Sequence, residues 1–434
     1  MFTTHGSRRA LSATALGAVA VLGLTACAGG GGQQADGEVT ELTVIAANSP
    51  WAEGVKELAA EYYDATGVKV NVETYGNEQL NDTYKVKLNS QSSDFDIMTF
   101  QVQDVMREFS RNGWLADLTD YVESDEEWDW QDFQPAARDA VQLDGVVYGV
   151  PVMTERHIVY YRKDLLEAAG LSVPTTLDEL EDAIAALHDP DGGVFGVAMR
   201  GSRVPLVTQL SSFMYAYGAD FQDEDGNASI DTPEAIDAYE TYGRLLREYG
   251  PPGVTNMGWV EASALFAQGK AAFYIDADSQ AYTFLDEANS AVVDTVGFAP
   301  FPEGPEGDGF YNIVPHTVGI NAFSEKKDAA WEFIKWVSDK EHSAWLLANA
   351  TVPVARESAW NDPAATEAFP AELVEIIRNV GDRGVGHDRP QLEQVAQARE
   401  IVGGPAIAAI EGGDVTAAAK AANAEFQDLL DSER

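Results

Sequence analysis

The sequence predicts an α/β fold, and three observations carry that prediction. Short apolar strands alternate with amphipathic helical stretches over residues 42–100. Turn and cap residues separate them. The apolar share of 45% and aromatic share of 10% are ample for a large core. Strands that alternate with helices argue for a largely parallel sheet. Leu42-Thr43-Val44-Ile45-Ala46 is the first strand, and Asn48-Ser49-Pro50 is a turn able to cap the next helix. In that helix Trp51, Val55, Leu58, Ala59 and Tyr62 share one face. Gly67 ends it, and Val68, Val70 and Val72 alternate as a second strand. A helix from about Glu78 to Gln91 leads to a third strand, Phe95 to Phe100. Ligands of such sheets sit at the carboxyl ends of the strands. Here those ends carry Asn48, the run from Tyr75 to Gln79, and Gln101 to Gln103. These are polar or aromatic residues, with no obvious nucleophile among them.

Composition narrows the function. The formal charge of -43 weighs against nucleic acid, anionic headgroups and polyanionic ligands. It does not identify a fold. A chain of 434 residues is long enough for two domains, each with a core. The sequence lacks a G-x-S-x-G elbow, a Walker loop and an H-E-x-x-H motif. Its six His and one Cys show no metal-ligand spacing, so neither a metal nor a cofactor is expected. Asp223-Glu224-Asp225-Gly226 resembles a calcium loop only superficially. Registered on Gly226, the first ligand position is Phe221 and the twelfth Thr232, so a turn explains it better.

The amino terminus reads as an export signal. Arg8 and Arg9 precede an apolar run from Ala10 to Leu24, too short to span a bilayer. Leu24-Thr25-Ala26-Cys27 follows and holds the only cysteine. It resembles the lipobox of bacterial lipoproteins, and that resemblance implies cleavage before Cys27 and acylation of it. The expected location is the outer face of the cell membrane, with a lipid anchor. Arg8-Arg9 also resembles a twin-arginine export signal, weakly. The Gly- and Gln-rich run from Ala28 to Gly37 reads as a flexible tether.

A more specific resemblance starts at Asp144-Gly145-Val146-Val147-Tyr148-Gly149-Val150-Pro151 and continues through Tyr160-Tyr161-Arg162-Lys163-Asp164-Leu165 to Leu171. Tyr84 to Leu88, Asn112-Gly113-Trp114-Leu115, Phe266 to Ala272, Ala329 to Trp336 and Val352 to Arg356 extend it in order. The chain resembles the family 1 extracellular solute-binding proteins of ABC sugar importers, the maltose-binding-protein-like group. The resemblance implies a two-lobe periplasmic-binding-protein-like fold (type II) with crossing hinge strands. It puts crossings near Met153 to Glu155, Tyr311 to Val318 and Thr351 to Arg356. One lobe is then 38–153 plus 312–350, and the other 154–311 plus 351–434.

The resemblance also implies a binding cleft. Sugar hydroxyls call for planar groups able to make paired hydrogen bonds, and sugar C–H faces call for aromatic rings. Candidate ligand contacts are Asn48, Gln79, Gln101, Gln103, Glu155, Tyr217, Trp259, Asp276, Asp278, His316 and Arg356. Trp259 precedes a helix where the family often stacks a Trp on ligand; the plainer alternative is a core Trp at helix entry. Asp276 and Asp278, two apart at a strand end, are expected to share a face. They read as hydroxyl acceptors or as solvent-facing acids. Tyr217 belongs to a run the family puts at the cleft, or else to the core. Glu155 and His316 sit at predicted crossings. Arg356 is either a donor fork for hydroxyls or a partner in an ion pair within its lobe. Trp51, Trp331, Trp336 and Trp345 are assigned mainly to core, and Trp331 and Trp345 share a face if one helix spans both. The loop Phe298 to Pro305 is expected on the surface.

The reading is a lipid-anchored, monomeric substrate-binding protein that captures a carbohydrate or polyol and delivers it to an ABC permease, with no catalysis. Alternatives are a binder of peptide or another small solute, and a secreted glycoside hydrolase. The hydrolase needs two carboxylates facing each other across a bond, which neighbours on one strand do not supply.

Overall fold

The computed structural model describes residues 39–305, 311–379 and 383–434. The export signal, Cys27 and most of the tether lie outside the described residues.

β1 (Glu41–Ala47) buries Leu42, Val44, Ile45 and Ala46. α1 (Pro50–Thr66) follows at once because Ser49 caps it, its hydroxyl accepting from the Ala52 N–H at 3.2 Å. Pro50 fits the first turn, where its missing N–H leaves no partner short. Trp51, Val55, Leu58 and Tyr62 form the buried face, as their spacing predicts. Gly67 closes the helix at a φ of 75°, the left-handed conformation that glycine adopts without strain. β2 (Lys69–Tyr75) then pairs parallel with β1. After α2 (Asn77–Asn89), β3 (Ile97–Gln101) pairs parallel on the other side of β1. The chain turns from β3 into a π-helical turn, Val102–Met106, and then a short helix α3 (Arg107–Arg111).

The 13-residue β4 (Val150–Arg162) joins this half of the sheet to the next. The second half adds β5 (Phe195–Ala198), β6 (Ala271–Ala277) and β7 (Val296–Pro300). The chain returns along β8 (Tyr311–Ile320), and β9 (Gly384–Val385) is a short addition. The strand order is β2-β1-β3-β8-β4-β6-β5, with β9 beside β8 and β7 beside β4. β8 is antiparallel to both β3 and β4, and β4 is antiparallel to β6 and β7. β5 and β6 are parallel. Thus β4 pairs with β8 through one half and with β6 and β7 through the other, and these long strands connect the two halves. Near the third predicted crossing, Val354 bridges Met153 and Arg356 bridges Phe133.

Two expectations fail here for clear reasons. Trp331 and Trp345 lie on different helices, Lys327–Val337 and Lys340–Ala350. Asp339 breaks the run by capping the second helix, its carboxylate accepting from the His342 N–H at 2.8 Å. The stretch Phe298 to Pro305 is not a surface loop throughout. Phe298 and Ala299 lie in β7, and Phe298, Ala299 and Phe301 are buried, with Phe301 edge-on to Phe213 at 5.2 Å. The turn reading of residues 223–226 matches the structure. The Asp223 carboxylate accepts from the N–H groups of Asp225 and Asn227, and Gly226 takes a φ of 75°.

Candidate binding cleft

A cavity of about 120 Å³ opens at the carboxyl ends of β1 and β3, where an α/β sheet holds its ligands. Its polar lining includes Ser49, Asn81, Gln101, Asp104, His316 and Thr317. Trp51 and Phe100 supply aromatic walls, and Val152 and Met153 close it at the linking strands. A single water needs roughly 10–15 Å³ measured this way, so the space suits a small polar molecule. Two lining atoms are buried without a partner among the described residues: Trp51 Nε1 and Thr317 Oγ1. Buried donors and acceptors are normally satisfied, so such atoms mark a place where something else supplies the partner.

From the cavity a polar chain runs along the linking strands. The Gln101 amide approaches His316 Nε2 at 3.5 Å, and His316 Nε2 lies 3.2 Å from Glu155 Oε2. The Ser279 hydroxyl donates to Glu155 Oε1. Register explains the first contact, because His316 pairs with Gln101 across β8 and β3. Burial alone would raise the Glu155 pKa. His316, Ser279 and Arg200 outweigh it and hold the carboxyl at about 2.

At the far end of the chain, β5 and β6 present their carboxyl ends together. Asp276 is fully buried. It accepts from Arg200 Nε at 2.9 Å and Nη2 at 2.5 Å, from Gln209 Nε2 at 2.9 Å, and from Tyr274 Oη at 3.0 Å. Burial acts to raise its pKa, and the Arg200 charge outweighs that and lowers it. Asp278 lies past the strand, 2.9 Å from Arg156 Nη1. Its burial dominates, and its pKa is pushed up to about 6.

The eleven candidates therefore separate. Gln101 and His316 line the cavity, and Glu155 joins through His316. Asn48 and Gln79 are exposed, while their neighbours Ser49, Leu80 and Asn81 line it. Gln103 does not pair with Gln101, because the strand ends between them. It is buried against a separate crevice shared with Arg107 and Gln391. Tyr217 is bonded to Thr241 at 2.8 Å, away from the cavity. Trp259 begins the helix α4 (Trp259–Ala267) and is 42% exposed, outside the cavity lining. Asp276 and Asp278 are not solvent-facing, since each is buried against an arginine. Asp276 has its acceptors used, while Asp278 Oδ2 is in ion-pair contact without a hydrogen bond. Arg356 is wholly interior and ion-paired, but with Asp132, which the predicted boundaries put in the other lobe, so the pair is not internal to one lobe as expected. It donates to the carbonyls of Ser338, Asp129 and Trp128 and to Asp132 Oδ2. Its guanidinium also lies over Phe133 at 4.1 Å. Four of its five N–H groups are bonded on a side chain with no exposure, so the fork does not face a ligand.

Sequence reasoning missed Trp51 as a cavity wall, along with Asn81, Asp104, Thr317 and Arg200. The strand-end rule was the available signal for Arg200, two residues beyond β5. Among the described residues no cluster of three His, Cys, Asp or Glu could hold a metal, and no helix is long and apolar enough to cross a membrane.

Comparison with known proteins follows the same lines. The family described as bacterial extracellular solute-binding protein matches residues 48–344. A mannitol-binding protein of Pseudomonas aeruginosa is 32% identical over 290 residues, covering 64% of this chain and 62% of the relative. An erythritol/L-threitol-binding protein of Mycolicibacterium smegmatis is 24% identical over 358 residues, 75% of each chain. The matches to the first curated relatives span 62% and 54% of those proteins' lengths. Among solved structures, an ABC transporter solute-binding protein from Agrobacterium radiobacter K84 in complex with ribitol superposes with a TM-score of 0.78. It is 28% identical and covers 90% of this chain and 99% of that one. One from Agrobacterium vitis S4 with bound D-mannitol gives 0.74 at 27% identity, covering 90% and 98%.

Proposed function

Because the chain belongs to the family of bacterial extracellular solute-binding proteins, we propose that it captures a neutral polyol or sugar between two lobes and delivers it to an ABC permease. The observation that carries the ligand class is the cavity at the ends of β1 and β3. Its polar walls are amide, hydroxyl, indole and imidazole groups with one carboxylate, Asp104, which is already paired with Arg389, and two of its polar atoms lack partners among the described residues. Hydroxyls, which donate and accept at one atom, suit such a lining better than a fixed charge does. The polyols named for the relatives point the same way.

The lobes would be residues 38–153 with 312–350, and 154–311 with 351–434. Closure would bend β4 and β8 where Glu155 and His316 meet. Ligand that touches both lobes shifts an open-closed equilibrium by its preference for the closed form. No reaction is assigned to the chain. Cys27 would carry the lipid anchor, the protein acting as a monomer outside the cell. Replacing Cys27 with Ala should release the protein into the medium or leave it unprocessed.

The decisive experiment is a thermal-shift screen of residues 38–434, refolded to strip ligand, against D-mannitol, ribitol, erythritol, maltose, amino acids and short peptides. A ligand at 100 times its Kd adds about 2.7 kcal/mol and moves the transition by degrees. A shift with polyols or sugars, without turnover, is expected. A shift only with amino acids or peptides would overturn the ligand class.

A further inference from the structure

We infer that Arg200 is the second lobe's donor to vicinal hydroxyls of the ligand and that Asp276 positions it, an inference that rests on the polyol or sugar reading. β5 and β6 run parallel, with Ala198 opposite Tyr274, so their carboxyl ends share one edge. Arg200 follows β5 by two residues, and Asp276 is the penultimate residue of β6. The pair is bidentate. The backbone of Arg200 is held as well. Its N–H donates to Gln209 Oε1 at 2.7 Å, and its carbonyl accepts from the Tyr242 hydroxyl at 2.5 Å. Gln209 in turn donates to Asp276. Both ends of the arginine are therefore fixed before any ligand arrives, which removes ordering entropy from the binding step.

What this clamp leaves over is the functional part. Nε and one N–H of Nη2 face Asp276, while Nη1 has no partner among the described residues. The Arg200 side chain is 13% exposed and that of Asp276 0%, so the acid is sealed in and what exposure the pair retains belongs to the arginine. A buried ion pair is weak evidence for stability, because apolar residues of similar volume often serve as well. A preorganised edge of N–H donors is what the arrangement adds. The cation is also among the charges acting on Glu155, which reaches the cavity through His316.

A guanidinium edge presents parallel donors that match either a carboxylate or two adjacent hydroxyl oxygens. Here Asp276 already balances the charge, and the Glu155 carboxylate stands nearby. An acidic ligand would find the Arg200 charge already matched by Asp276. The neutral vicinal diol is the better match.

The test uses titration calorimetry of the mature chain with D-mannitol and its 1-deoxy, 2-deoxy and 3-deoxy analogues. Wild type, Arg200→Lys and Asp276→Asn are compared, each with its Tm. Wild type should lose affinity when one hydroxyl of an adjacent pair is removed. Arg200→Lys keeps the charge and loses the fork. It should bind D-mannitol at least tenfold more weakly and no longer distinguish that analogue. Asp276→Asn should show the same loss of discrimination, and its Tm reports any folding defect separately. Arg200→Lys binding within twofold of wild type, or an equal loss for every analogue, would overturn the inference while leaving the polyol reading intact. Failure of the wild type to bind D-mannitol, ribitol, erythritol or maltose would overturn both.

Discussion

Two regions of the proposed cleft hold their buried polar groups differently. In the first, Trp51 Nε1 and Thr317 Oγ1 are buried with no partner among the described residues. In the second, Asp276 is equally buried and accepts from arginine, glutamine and tyrosine together. Asp276 is met by its own neighbours and the two cavity atoms are not. Beside Asp276, Arg156 Nε and Nη1, Asp278 Oδ2 and Gln280 Oε1 also lack hydrogen-bond partners among the described residues, so the contrast is between Asp276 and the cavity atoms rather than between whole walls. Unmet groups supply affinity when a ligand completes them, whereas met groups supply rigidity. The largest test of this contrast is Asp276→Ala, which strands Arg200 and Gln209. Removing one partner of a buried pair costs about 3–5 kcal/mol, measurable by urea unfolding at neutral pH. A loss below about 1 kcal/mol would mean that the second region is held by something else.

Trp51→Phe probes the first region. It keeps an aromatic ring at the cavity and deletes the indole N–H. A neutral hydrogen bond is worth about 0.5–1.5 kcal/mol, so ligand should bind roughly two- to tenfold more weakly, with a modest fall in Tm from the smaller buried ring. Unchanged affinity would show that the indole N–H is not among the groups the ligand completes.

A third test separates two neighbouring carboxyls by pH. The Glu155 pKa is held down at about 2, below its ordinary 4.5. Its contribution is present above pH 4.5 and is lost as pH falls toward 2. Asp278 is raised to about 6 from 3.8, so the native state holds a proton that the unfolded state has lost. Stability from this group therefore declines as pH rises from about 4 to about 6. Asp278→Asn should remove that decline in unfolding curves taken across this range, while Glu155→Gln should flatten the acid limb below it. Parallel pH profiles for the Asp278→Asn variant and wild type would overturn the assignment for Asp278.

These residues also show where the sequence stops being legible. The strand-helix alternation of residues 42–100 is local, and α1, with its Ser49 and Gly67 ends, follows from periodicity and caps. Even the break between Trp331 and Trp345 was encoded locally, in the capping aspartate Asp339. The fate of a charged side chain is not local. Asp276 and Arg200 are 76 residues apart, and Arg356 and Asp132 are 224 apart. Nothing in the spacing near either one announces its partner. Trp51 is buried, as its helix face predicts, yet a cavity wall and a core are both buried. Only the arrival of Thr317 and His316 from β8 distinguishes them. Glu155 and His316 were reachable because the resemblance puts strands there, and residues on linking strands meet by register.

The smallest effect concerns what would be the rim of the proposed cleft, where contacts run from Asp104 and the helix after it to residues 389–393. Asp104, Arg107 and Arg111 are spaced at three and four residues, one face of a helical run. Arg389, Gln391 and Glu393 fall at every second residue of an irregular segment. They meet in order: Arg389 with Asp104 at 2.5 Å, Arg107 with Gln391 at 3.1 Å, and Arg111 with Glu393 at 2.7 Å. Arg389 is nearly buried and also grips Asp388, while Arg111 is 61% exposed. An exposed pair of this kind contributes about 0–1 kcal/mol and is screened by salt. Arg111→Ala should therefore change ligand Kd less than about threefold at low ionic strength, with the difference vanishing in 0.5 M salt. If affinity resides in the unmet cavity atoms, the rim only trims it. A change beyond tenfold that persists in salt would mean that the rim, rather than Trp51 and Thr317, sets the balance between open and closed forms.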